Sequence, residues 1–144
     1  MNAPVEGVDA RTDRVTQSTV GVVLLAAFVF GFAWAVPAFV LILGVSALAG
    51  PRANALNYVF ERWIAPRIPR RFSRADPGVV EPPIPYGTVR AQDALGAVVL
   101  LAASFAFALG VGVAGWLLTV AEAVAAIVAA TTRLHVADRL RRAK

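Results

Sequence analysis

Cysteine is absent from all 144 residues, so this chain alone can form no disulfide, thiolate metal site, Cys nucleophile or redox pair. Histidine occurs once, at His135, which leaves no second His or Cys to complete a metal site. Charge is missing over two long stretches. Ser18 to Leu48 carries none, and Ala94 to Ala130 carries only Glu122, while all 14 Lys and Arg residues lie outside both. The remainder is oily: 58% of residues are hydrophobic and mean hydropathy is +0.68. Such a composition indicates a single integral membrane domain over residues 1–144, with no length left for a soluble one.

About 20 helical residues cross a hydrocarbon core of roughly 30 Å. The first uncharged stretch, at 31 residues, exceeds one crossing and therefore predicts a hairpin over residues 16–49. Its bend falls at Trp34-Ala35-Val36-Pro37, because proline lacks a donor for a helix interior yet suits a helix start. The second stretch predicts a hairpin over 92–133, bent at the glycine-rich Gly110 to Gly115. The fold class is thus all-α, with four spans at Thr16 to Ala35, Pro37 to Ala49, Gln92 to Leu109 and Gly115 to Arg133. An alternative is a signal peptide cleaved after Ala33-Trp34-Ala35, which the mixed charges Glu6, Asp9, Arg11, Asp13 and Arg14 argue against.

Both bends are uncharged, whereas Arg residues precede the first hairpin, fill the middle and close the chain. The positive-inside rule then puts both termini and the middle loop in the cytoplasm. Trp34 and Trp116 at the bends and Trp63 beside the basic loop fall at headgroup level. The pI near 11.0 reflects this one-sided placement, which suits anionic lipid headgroups and not nucleic acid.

The halves repeat. Val22-Val23-Leu24-Leu25-Ala26-Ala27 recurs as Val98-Val99-Leu100-Leu101-Ala102-Ala103, and the same spacing superposes Arg14 on Arg90. Two hairpins of one orientation, related about an axis along the membrane normal, would produce that pattern. Chance in a Val, Leu and Ala-rich composition is the plainer alternative.

Residues 53–90 form the cytoplasmic connector. Ala53 to Ile64 places Leu56, Val59, Phe60, Trp63 and Ile64 on one helical face, which predicts an amphipathic helix on the membrane surface. Arg67, Arg70, Arg71 and Arg74 follow as candidate lipid-headgroup contacts. Asp76 to Gly87, with four prolines, predicts a semi-rigid extended segment able to dock a protein partner. Residues 134–144 predict a short basic cytoplasmic tail that includes His135.

Glu122 is the candidate intramembrane site. It lies roughly 10 Å along the helix from Gly115 and 16 Å from Arg133, near the bilayer centre. An ionised side chain there costs about 2.5 to 3.5 kcal/mol, so the carboxyl should be neutral or hydrogen-bonded. Gly115, Thr119, Ala126 and Ala129 share its face and invite close helix packing. Ser104 sits symmetrically across Val113 and is the predicted hydrogen-bond partner, with Thr119 completing the polar site. Glu122 could then serve as a proton relay or as a polar clamp. Asp93, read near a helix start, has an ordinary place against the helix dipole. The small-residue patterns Ala27-x-x-x-Gly31-x-x-x-Ala35 and Ala102-x-x-x-Ala106-x-x-x-Gly110 predict packing inside the monomer, or between copies in a homo-oligomer.

Val8-Asp9-Ala10-Arg11-Thr12-Asp13-Arg14, the segment Trp63-Ile64-Ala65-Pro66-Arg67 and the proline-rich approach to Arg90-Ala91-Gln92 resemble domain of unknown function 4395, small bacterial membrane proteins common in actinobacteria. The resemblance covers nearly the whole chain. It implies a Cys-x-x-Cys-like pair after the Glu, at Val128 and Thr131 here, and a role beside thioredoxin-like or rhodanese-like proteins. Both cysteines are absent, and with them the thiols that role requires.

Three functional classes follow. The first is a non-enzymatic membrane subunit or scaffold with no cofactor, presenting a basic cytoplasmic face. The second is a small proton- or solute-transport component built on Glu122. The third is a membrane partner of sulfur or redox proteins.

Overall fold

The computed structural model describes residues 7–8, 10–50, 53–59, 62–63, 66 and 83–132. Their order is β1 (Gly7–Val8), α1 (Ala10–Phe30), α2 (Ala35–Ala49), α3 (Ala55–Val59), β2 (Ile84–Pro85), α4 (Tyr86–Ala108) and α5 (Gly112–Thr132). The all-α expectation gains one small addition, an antiparallel ladder pairing Gly7 with Pro85 and Val8 with Ile84. It ties the segment before α1 to the approach to α4.

α1 and α4 each begin six residues earlier than their hydropathy suggests. Their polar first turns are buried against neighbouring helices, with Thr12, Asp13, Thr16 and Gln17 inside on α1 and Thr88 and Asp93 inside on α4. Tertiary burial therefore extends both helices past the apolar run. Pro37 falls in the first turn of α2, where an N–H would lack an intrahelical acceptor in any case.

The two helix-to-helix turns share one construction. In the first, Phe32 N–H donates to the Ala27 carbonyl (2.8 Å) and Gly31 N–H to that of Phe28 (3.2 Å). In the second, Val111 N–H donates to Ala106 (2.8 Å) and Gly110 N–H to Phe107 (3.1 Å). This paired pattern needs a left-handed residue, supplied by Gly31 at φ 70° and Gly110 at φ 78°. Consequently the first bend lies at Gly31 to Trp34, ahead of Pro37, and the second ends at Val111 instead of running to Gly115.

Packing is crosswise. α1 lies along α5, α2 along α4, and α4 also meets α5, whereas α1 and α2 touch little. Phe28 of α1 meets Trp116 of α5 with ring centroids 5.5 Å apart, and Arg90 of α4 reaches Ala47 and Leu48 of α2, so both long pairs run antiparallel. The opening helix of each hairpin thus packs on the closing helix of the other, as in a two-fold repeat, but the α4–α5 contact has no equal between α1 and α2. Residues matched by the sequence repeat are buried together: Thr12 with Thr88, Leu24 with Leu100, and Ala27 with Ala103. The turn glycine of the second half comes three residues later than that spacing demands, so the halves are not copies throughout.

Val20, Leu24, Phe39, Leu43, Leu100 and Ala123 belong to the shared apolar core. The outside is equally apolar, with Val29, Leu41, Leu48, Val98, Phe105 and Leu117 all largely exposed. An apolar exterior around a core that also holds polar groups suits lipid, not water. Three helical segments, Thr12–Phe30, Tyr86–Ala108 and Gly112–Thr131, are long and apolar enough to cross a membrane. α2, at 15 residues or roughly 22 Å, is shorter.

Some finer expectations change. The stripe through Ala102, Ala106 and Gly110 does not face the interior: Ala102 and Gly110 are exposed, because the adjacent position Ala103 holds the buried face of α4. Gly31 and Ala35 likewise fall at the turn, leaving Ala27 as the buried member of its stripe. In the connector, Leu56 packs against the core while Val59 and Trp63 are exposed. Phe60, Ile64, the arginines Arg67, Arg70, Arg71 and Arg74, most of the proline-rich segment and the tail with His135 lie outside the described residues.

Candidate functional site

Polar side chains converge at the end of the bundle where α1 and α4 begin and α2 ends. Asp93 is their centre. It is 2% exposed, and being seven residues into α4 it lies roughly 10 Å inside that helix. The Ser46 hydroxyl of α2 donates to Asp93 Oδ2, and Gln17 of α1 and Asn54 ahead of α3 also hydrogen-bond the carboxylate. One residue therefore links α4 to α1, to α2 and to the connector. A carboxylate suits this position because its two oxygens can accept several donors at once.

Asn54 faces two ways. Its Oδ1 accepts the Leu56 N–H at 2.9 Å, capping α3 at the second helical residue, while its amide serves Asp93. α3 is thereby pinned to the bundle through one buried side chain. One turn before Asp93, Arg90 Nε donates to the Ala47 carbonyl (2.9 Å) and Nη2 to that of Leu48 (3.2 Å), placing positive charge on the C-terminus of α2.

Two further carboxyls lie within electrostatic reach of Asp93, those of Asp13 on α1 and Glu122 on α5. Arg14 is near enough to Asp13 to act on it. Glu122, midway along α5, rests where Gly96 of α4 has no side chain. A Cβ added at Gly96 would stand 2.6 Å from Glu122 Oε1 and 3.0 Å from Leu43 Cδ1. Gly96→Ala is accordingly expected to cost about 1 kcal/mol of stability, and the cost should largely vanish in an E122A background. A double-mutant cycle of detergent unfolding checks this, and an undiminished cost in the double variant would place the strain on Leu43.

The predicted Ser104–Glu122 hydrogen bond does not form. Ser104 Oγ donates instead to the Leu100 carbonyl of its own helix at 2.9 Å. The bend closes near Gly110, not Val113, and this shift brings Gly96 opposite Glu122 in place of Ser104. Thr119 is fully buried as expected, together with Gly115, Ala126 and Ala129. Its hydroxyl is also satisfied locally, by the Gly115 carbonyl at 2.8 Å. Of the three predicted site residues, then, Glu122 joins the cluster, while Ser104 and Thr119 bond within their own helices. Asp93, Asp13, Gln17, Ser46 and Asn54 are the members that sequence reasoning missed. Polar residues flanking each apolar run were the available signal.

The cluster can lock helices together, and its adjoining carboxyls can hold protons. Among the described residues, no three His, Cys, Asp or Glu side chains are grouped to hold a metal ion. Trp116, expected at headgroup level, is half-buried between Phe28 and Phe107, the latter with ring centroids 4.9 Å apart.

No curated protein and no solved structure matches the chain. A family match does span residues 8–136, from the β1 segment past the end of α5 and so across every element described above, and by it the chain belongs to domain of unknown function 4395.

Proposed function

We propose that this protein is a non-enzymatic membrane subunit whose four long helices all lie in the bilayer and whose connector, residues 53–90, presents a docking face to a protein partner on the cytoplasmic side. The observation that carries this reading is the Asn54 bridge, which couples the start of α3 to the buried Asp93. A connector serving only as a tether needs no such anchor. Beyond it, Tyr58, Val59 and Trp63 are exposed, the aromatic and apolar side chains that interfaces favour. The basic residues of the connector and tail fix orientation and meet anionic headgroups.

Proton handling is the second reading, favoured by the proximity of Glu122, Asp93 and Asp13. Against a complete pathway, residues 20–45 and 105–118 contain no charged, hydroxyl or amide side chain. A route from the cluster toward the turns therefore has no next step within one copy.

Co-purification of the tagged chain in mild detergent separates the two. The scaffold reading expects a stoichiometric partner that is lost with Asn54→Leu while the bundle stays monodisperse. A chain that purifies alone and passes protons in vesicles until Glu122→Gln is introduced would overturn it.

A further inference from the structure

The turn end of the bundle has a composition unlike that of an exposed loop. Across residues 20–45 and 105–118, which include both turns and the helix ends beside them, the indole N–H groups of Trp34 and Trp116 are the sole polar side-chain groups. The side chains nonetheless point outward. Phe30, Phe32, Trp34, Leu109 and Val113 are each more than half exposed. In water such a patch would be a large uncompensated apolar surface.

The backbone is suited to lipid as well. Chain reversals are normally barred from hydrocarbon because their N–H groups go unpaired. Here Gly31, Phe32, Ala33, Ala35 and Val36 in the first turn, and Leu109, Gly110, Val111 and Gly115 around the second, all donate to backbone carbonyls, which leaves Trp34 and the opening turn of α5, Gly112 to Ala114, to find acceptors in the headgroup layer. The left-handed glycines make this pairing possible without recruiting a side chain or water.

Length sets the depth. At 1.5 Å per residue, Arg14 to Gly31 spans roughly 25 Å and Arg90 to Gly110 roughly 30 Å. The hydrocarbon core is about 30 Å thick within a bilayer of about 40 to 45 Å. With both guanidinium groups at the near headgroups, the turns reach no further than the far edge of the hydrocarbon.

We propose that both turns stop at the far boundary between acyl chains and headgroups, covered by lipid, so that the protein has one wet face only. The partner of this end is the far leaflet itself. The exposed Trp34 indole provides the N–H that meets the ester and headgroup layer, and the phenylalanines beside it meet acyl chains. Anything reaching the polar cluster from water arrives from the side on which α1 and α4 begin. The inference is independent of which partner, if any, docks on the connector.

The cysteine-free chain permits a direct test. Phe32→Cys, Val111→Cys and, as a wet control, Tyr58→Cys are placed singly in the protein reconstituted in phospholipid vesicles, with membrane-impermeant maleimide supplied on both sides. Both turn thiols are expected to react at least about tenfold more slowly than the control, since an apolar setting withholds the thiolate, and to become reactive once SDS dissolves the bilayer. Val113→Cys, at a side chain 76% exposed, supplies a second turn position should Phe32→Cys misfold. Turn thiols modified as fast as Tyr58→Cys before SDS is added would overturn the proposal.

Discussion

Asp93→Ala is expected to destabilise the bundle by about 2 to 3 kcal/mol, the loss of an acceptor to three buried donors at roughly 1 kcal/mol each. The side chains of Ser46, Gln17 and Asn54 would all lose the same partner, and Ser46 and Asn54 are almost wholly inaccessible to any replacement. Measured hydrogen bonds inside membrane bundles average nearer 0.6 kcal/mol, which sets the lower end of the range. Asp93→Asn retains one oxygen acceptor in similar volume and should lose about 1 kcal/mol. Unfolding in mixed micelles of mild detergent and SDS reads both values. If the alanine variant unfolds within 0.5 kcal/mol or so of the parent, the hub contributes no net stability.

Gly21 gives the second large effect, for a different reason. A Cβ there would fall 2.5 Å from Ile127 Cγ1 and 2.9 Å from the Ala123 carbonyl oxygen of α5. Ile127 can change rotamer, but a helix carbonyl cannot swing away without breaking its own hydrogen bond. Gly21→Ala must therefore push α1 from α5, at a cost of about 1 to 3 kcal/mol, and Gly21→Val should cost more. Trimming Ile127 to Ala should recover only part of it, in contrast to the relief that shortening Glu122 gives at Gly96. Gly44 is the control. Nothing lies within 4 Å of a Cβ added there, so Gly44→Ala should be neutral or stabilising by up to about 1 kcal/mol. Equal changes at Gly21 and Gly44 would mean that the close α1–α5 approach at Gly21 adds nothing to the cost.

The helical composition, the two reversals and the inward face of α5 were legible from charge and hydropathy alone. What sequence reasoning could not supply was the start of α1 and α4. Hydropathy marks where a helix enters lipid, not where it begins, and both helices begin about two turns earlier in polar sequence. Starting the third span at Gln92 put Asp93 at a helix terminus, where a carboxylate is ordinary. With the true start at Tyr86 the same residue is internal and buried. The displaced second bend compounded this by setting Ser104 opposite Glu122. Gln17 and Asp93, matched by the repeat spacing, hydrogen-bond each other. That contact lies beyond any local pattern, because it depends on α1 and α4 approaching across the bundle.

The crosswise arrangement of helices bears on how the chain is made. α1 and α2 leave the ribosome first and meet few of each other's side chains, so their buried faces, including Gln17 and Ser46, stay unmatched until α4 and α5 arrive. An insertion intermediate arrested before residue 83 would hold two helices without their lasting neighbours. With α4 and α5 still missing, the faces that carry Gln17 and Ser46 have no counterpart, which makes that stage the one most open to misassembly and proteolysis.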